Sequence, residues 1–142
     1  MTATRSRPIA DGLFTWPAAA PALLGSRCGD CGMVAFPAGD SCAACGSTAV
    51  AREELPRRGT LWTWTVQRFL PKAPYAGSVS PATFEPYGVG YVELPGAVRV
   101  EARLTEADPG RLAIGMPMEV VFAPFLTDAD GTEVIGFAFR PV

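Results

Sequence analysis

Arg27-Cys28-Gly29-Asp30-Cys31-Gly32 and Cys42-Ala43-Ala44-Cys45-Gly46 hold every cysteine of this chain, in two Cys-x-x-Cys turns separated by ten residues. Such a turn brings two sulfurs to one metal ion. A glycine directly after the second cysteine lets the following amides point back at the thiolates, and Gly32 and Gly46 both stand there. Two facing knuckles complete a tetrahedral four-thiolate site, with Zn–S of about 2.3 Å and no coordination position left open. The pattern predicts a structural zinc on Cys28, Cys31, Cys42 and Cys45. Zinc is preferred to iron because nothing near the motif points to electron transfer.

Disulfides and redox chemistry are the competing readings. Secreted disulfide scaffolds are short and cysteine-dense, whereas 142 residues with 49% hydrophobic content can bury a core without staples. A thioredoxin-like site uses one Cys-x-x-Cys beside a βαβ pattern, not two within eighteen residues. Reduced, metal-bound cysteines fit a cytoplasmic location. Arg5 and Arg7 ahead of Ala18-Ala19-Ala20 mimic a signal peptide, but prolines break the apolar region. No apolar run approaches the roughly 20 residues of a membrane span.

A net charge of −2 disfavours broad binding to a phosphate backbone. The chain has neither histidine nor asparagine, which removes Ser-His-Asp, Cys-His and histidine-assisted metal mechanisms. With four thiolates committed to metal, no cysteine nucleophile remains. Glu93 and Glu101 are the best carboxylate pair, and outward-facing strand positions explain them as well. A stand-alone enzyme is therefore not expected.

Outward from the knuckles, three segments are expected: an arm over residues 1–24, a zinc ribbon over 25–50 and a barrel over 51–142. In the arm, Pro17 is placed to start a short helix and Pro21 to restrict it to about one turn. Phe14 and Trp16 need burial, either in the chain's own domain or against a partner. In the ribbon, Met33, Val34 and Phe36 read as a short strand. So few apolar residues cannot fold without the metal.

The pattern then changes to strands. Trp62, Trp64 and Val66 alternate with Thr63, Thr65 and Gln67, which puts both tryptophans on one buried face. Tyr87–Leu94 follows, with Gly88 and Gly90 marking a bend or close backbone approach. Val98, Val100, Ala102 and Leu104 alternate with Arg99, Glu101 and Arg103, and Met118–Phe122 and Val134–Phe139 complete five strands. Turn residues stand at Pro95-Gly96, Asp108-Pro109-Gly110 and Asp130-Gly131. Five short antiparallel strands, with a helical turn near Arg111–Ile114, indicate a closed barrel of the oligonucleotide/oligosaccharide-binding (OB) kind, the alternative being a β-sandwich. Residues 69–85 form the longest loop.

The order of Leu13-Phe14-Thr15-Trp16, the two knuckles and Gly59-Thr60-Leu61-Trp62-Thr63-Trp64-Thr65-Val66 resembles the zinc-ribbon/OB-fold proteins catalogued as domain of unknown function 35. Pro86-Tyr87-Gly88-Val89-Gly90-Tyr91-Val92-Glu93-Leu94, Ile114-Gly115-Met116-Pro117-Met118-Glu119-Val120 and Phe137-Ala138-Phe139-Arg140-Pro141 extend the resemblance over nearly the whole chain. It implies a mainly β fold with an N-terminal helical arm, a rubredoxin-like ribbon with structural zinc, and a five-stranded OB barrel. It also implies a non-catalytic accessory subunit in a hetero-oligomer. The partner would be a thiolase-fold enzyme (an aldolase, thiolase or acyltransferase) or a MaoC-like hydratase, acting on acyl-CoA or a related acyl substrate in lipid or steroid metabolism.

In such an assembly the barrel and the 69–85 loop would cover the mouth of the partner's active site. Arg57, Arg58, Arg68 and Lys72 would neutralise CoA phosphates, their ordinary explanation being a solvated basic edge. Phe14 and Trp16 would anchor the partner. The rival is a single-stranded nucleic-acid module using Trp62, Trp64, Phe69 and Tyr75 as stacking platforms. Acidity and the expected burial of both tryptophans oppose it.

Overall fold

Nine strands carry the fold in the computed structural model, which describes residues 5–75 and 80–142. β1 (Ser6–Pro8) opens the chain. β2 (Leu24–Cys28), β3 (Val34–Ala35) and β4 (Val50–Glu54) form one small antiparallel sheet in the order β3-β2-β4. β5 (Arg58–Gln67), β6 (Tyr87–Glu93), β7 (Arg99–Leu104), β8 (Pro117–Thr127) and β9 (Glu133–Pro141) form the second sheet.

The second sheet closes on itself. β5 pairs with β6, β6 with β7, β7 with β9, β9 with β8, and β8 returns to β5 through Arg58–Thr60. This is the five-stranded OB barrel, with β1 added in parallel outside β9. The expectation of all-antiparallel strands is corrected at one seam, where β7 and β9 run parallel through Arg103↔Ala138 and Leu104↔Phe139. The cause is arithmetic: directions cannot alternate all the way round a ring with an odd number of strands.

Alternation along each strand fills the interior with Leu61, Val92, Val100, Leu104, Met118, Val120 and Phe139, all nearly inaccessible to solvent. At Gly88 a Cβ would lie 2.3 Å from the Glu106 carbonyl oxygen, and at Gly90 one would lie 2.7 Å from that of Thr63. Both glycines therefore mark close backbone approach. The helical turn between β7 and β8 is a single 3-10 turn, Pro109–Arg111, capped by Asp108, whose side chain accepts from the Gly110 N–H at 2.9 Å.

Two further expectations are corrected. The arm is not helical, and no α-helix occurs among the described residues. Instead Phe14 bridges Leu23, the Thr15 N–H donates to the Ala22 carbonyl at 2.9 Å, and the Ala22 N–H donates to Thr15 Oγ1 at 2.9 Å. Two prolines four residues apart leave too little donor-bearing backbone for a helix, whereas this loop satisfies the groups on either side of them. Trp62 is the other correction. Leu61 pairs with Val92 and Thr63 with the adjacent Tyr91, so Trp62 is the extra residue of a β-bulge. It points outward, 45% exposed, while Trp64 packs on the core.

Phe14, Leu23, Val34 and Leu55 join the barrel's apolar residues in one continuous core. Ribbon and barrel are thus packed together rather than strung on a linker. Among the described residues no helix is long and apolar enough to cross a membrane.

Candidate metal centre

The first knuckle lies between β2 and β3, and the second lies ahead of β4. In each, the glycine N–H closes the turn onto the first cysteine's carbonyl: Gly32 to Cys28 at 2.9 Å and Gly46 to Cys42 at 2.8 Å. Both glycines are left-handed, with φ of 77° and 76°, a conformation that costs a residue with a Cβ. The Gly29 N–H donates to Ala49 O at 2.7 Å, and Ser47 Oγ donates to the Asp30 carboxylate. These bonds hold the two knuckles face to face.

All four sulfurs lie within 4.8 Å of one another. Cys28 Sγ is 3.6 Å from Cys45 Sγ, and Cys31 Sγ is 3.5 Å from Cys42 Sγ. A tetrahedron of sulfurs with Zn–S near 2.3 Å has edges of about 3.8 Å, so the cage matches zinc in donor type, number and spacing. Cys28 and Cys42 are buried, while Cys31 and Cys45 face solvent.

Their protonation suits a metal. The Cys31 backbone N–H pulls the Cys28 thiol down to about 6, and the N–H groups of Cys45 and Ala44 lower Cys42. The Ser47 N–H draws Cys45 down, but the sulfurs of Cys28 and Cys31 outweigh it and push that thiol up to about 12. Cys31 is raised as well: the Met33 N–H lowers it, and the Cys42 sulfur and burial prevail. The first cysteine of each knuckle is thus shifted toward the thiolate and the second away from it, and a dication would displace the remaining protons. Zinc here supplies cross-linking of the ribbon and, with four protein ligands, no open position for substrate.

The family descriptions "ChsH2, rubredoxin-like zinc ribbon domain" and "ChsH2, C-terminal OB-fold domain" match residues 15–51 and 52–123. A DUF35 domain-containing scaffold protein of Methanocaldococcus jannaschii is 30% identical over 84% of this chain and 82% of its own length. The chain belongs to the ChsH2/DUF35 family. The benzoylsuccinyl-CoA thiolase subunit BbsA of Thauera aromatica is also 30% identical, over 87% of this chain and 78% of its own. Among solved structures, a chain of the Ltp2-ChsH2(DUF35) aldolase superposes with a TM-score of 0.61 at 27% identity, covering 84% of both chains. The zinc ribbon of this DUF35 chain accordingly carries a structural zinc on its four cysteines.

The other sequence-derived residues are dispersed. Arg58 opens β5 with Arg57 just ahead of it, whereas Arg68 directly follows its end and Lys72 lies further along the loop, so a ten-residue strand stands between the two pairs. Arg57 Nη1 donates to the Pro21 carbonyl, and Arg58 pairs with Glu119 at 3.2 Å, a carboxylate shared with Arg140 at 3.6 Å. Arg68 and Lys72 are exposed. Of the arm aromatics, Phe14 is buried in the chain's own core, 4.8 Å from the Phe122 ring. Trp16 is half-buried beside it and donates through Nε1 to Ser6 Oγ at 3.3 Å. Residues 76–79 of the long loop lie outside the described residues. On its two limbs, Tyr75 stacks on Tyr87 and Phe84 meets the Tyr87 edge.

Two features escaped the sequence reading. Arg99 lies 4.0 Å over the exposed Trp62 ring, itself edge-on to Tyr91, so an aromatic cluster faces outward from β5, β6 and β7. Only the bulge reveals it. Arg140, 72 residues beyond Arg68, joins Arg58 on Glu119 through strand pairing across the barrel, for which sequence spacing carries no signal.

Proposed function

We propose that this chain is a non-catalytic accessory subunit that binds a thiolase-fold enzyme and supports its reaction on an acyl-CoA or related acyl substrate. The observation carrying the reading is the correspondence of ribbon and barrel to a chain of the Ltp2-ChsH2(DUF35) aldolase over 84% of each. The likeness to a benzoylsuccinyl-CoA thiolase subunit supports it. So does the composition: without histidine and with its cysteines committed to metal, the chain lacks the usual nucleophile–base pairs. Catalysis then resides in the partner, in a cytoplasmic hetero-oligomer to which a MaoC-like hydratase is a further candidate member. We assign residues 1–24, 25–50 and 51–142 to arm, ribbon and barrel, the barrel shielding the partner's acyl channel from water. Arg57 and Arg58 already have partners within the chain, so Arg68 and Lys72 are assigned to CoA phosphate.

The test is affinity purification from the source organism, followed by reconstitution. A thiolase-fold subunit in near-stoichiometric yield, whose acyl-CoA turnover requires this chain, is the expected result. Turnover by this chain alone, or undiminished turnover by the partner alone, overturns the reading. The arm gives a separable outcome. Phe14→Ala, which empties a buried aromatic site, is expected to cost about 3–5 kcal/mol of stability in chemical denaturation. Trp16→Ala is expected to weaken partner binding with the fold retained.

Single-stranded nucleic-acid binding is the second reading, favoured by one observation: Trp62, Tyr91 and Arg99 face outward on β5–β7, the side on which OB barrels bind oligonucleotides. Glu93 and Glu101 share that face, pairing with Arg99 at 3.1 Å and accepting from the Tyr91 hydroxyl at 3.2 Å. Binding of a labelled oligonucleotide that falls steeply with salt is its test.

A further inference from the structure

Among the described residues, ribbon and barrel share no strand pairing. On the side of the first knuckle an open cleft separates them, walled by Gly32, Met33 and Val34 on one side and by Leu94, Gly96 and Arg99 on the other. The Arg27 side chain spans it. Arg27, next to the metal ligand Cys28, donates through Nη1 to the Gly32 carbonyl at 3.2 Å and through Nη2 to the Gly96 carbonyl at 3.3 Å. Nε donates to Glu53 Oε1 on β4 at 3.0 Å, which sets the plane of the fork. One guanidinium thereby touches the metal knuckle, the ribbon sheet and the β6–β7 turn of the barrel.

We infer that Arg27 is a positioning residue, a strut through which metal occupancy of the ribbon controls the β6–β7 turn of the barrel. The Gly32 carbonyl belongs to the turn that orients Cys28 and Cys31, and the left-handed glycine there is held by the Gly32–Cys28 bond. While the four thiolates are tied to one ion, that carbonyl is fixed and the fork is held from both sides. When the ion leaves, the knuckle loses its cross-link, the fork loses a fixed acceptor, and Gly96 is no longer braced. Leu94 donates to Val98 O at 3.0 Å and Ala97 to Leu94 O at 3.1 Å, and the Leu94 side chain is buried in the core with Ala97 and Val98 packed against it; the left-handed Gly96 at the tip has no side chain to pack, and the Arg27 fork braces its carbonyl. Arginine suits the task because its rigid fork makes three directed bonds, whereas lysine offers a single point charge.

Hydrogen–deuterium exchange on the full chain, with zinc and after chelation, tests the strut. In the native sequence, chelation is expected to speed exchange of the Leu94 and Ala97 amides at least tenfold more than that of amides in β8 and β9. In Arg27→Ala the same amides should exchange fast with zinc bound and gain less than twofold on chelation, at unchanged zinc content. Arg27→Lys, which keeps the Glu53 pair, should give intermediate coupling and serves if the alanine variant fails to fold. Turn exchange indifferent to zinc overturns the inference, as does full sensitivity in both variants. Uniform deprotection of β8 and β9 with the turn also overturns it, since the metal would then act through global stability alone.

Discussion

Cys42→Ser is expected to take zinc content from about one ion per chain to near zero and to unfold the ribbon. Structural zinc contributes about 10–16 kcal/mol of apparent folding free energy in zinc-finger peptides at neutral pH, as much as the roughly 5–15 kcal/mol that holds a whole domain together. Cys42 is buried, and its N–H donates to the Ser47 carbonyl at 2.8 Å, so ligand and local backbone fail together. Leu23, Val34 and Leu55 lie in the barrel's own core, so the damage should spread into lower barrel stability. Metal analysis with thermal denaturation checks both points, with the exposed Ser41→Ala next to it expected to change neither. A metal-free variant as stable as the native chain would sink the structural role of the zinc.

Phe139→Ala should be the most damaging apolar substitution in the barrel. Phe139 is fully buried on β9, opposite Val120 of β8 and Leu104 of β7, on the strand that closes the barrel from both sides. Emptying such a site costs about 3–5 kcal/mol through lost transfer energy and the cavity left behind. The predicted outcome is a lower denaturant midpoint at unchanged slope. Phe139→Leu refills most of the volume and should cost clearly less. A loss under about 1 kcal/mol for the alanine variant would mean that the barrel interior collapses around the gap.

Legibility followed how local each determinant was. The knuckles could be read because cysteine spacing and the glycine after each pair are properties of a few consecutive residues. All five barrel strands, β5 to β9, were legible from the alternation or β-rich composition of their residues and the turns between them. Leu24-Gly25-Ser26-Arg27-Cys28 and Val50-Ala51-Arg52-Glu53-Glu54 carry no such period, yet form β2 and β4. They are strands because the metal-tied knuckle at Cys28, the partner of Val50, brings their ends into register. The Trp62 face was misread because a bulge inserts one residue, and periodicity cannot announce where the phase will slip.

By itself, the sequence determined that the chain carries a four-thiolate metal site, no histidine chemistry, and strands enough for a small barrel, since each follows from residue identity or short-range spacing. Only the tertiary structure decided where neighbouring residues end up. It sent Phe14 into the core, set Arg57 and Arg58 at the opposite end of β5 from Arg68 and Lys72, gathered Arg140 to Glu119, and laid Arg27 across the gap between knuckle and barrel. The reason is geometric: an extended strand separates residues close in sequence by about 3.3 Å per step, while closure of a barrel brings together residues far apart along the chain.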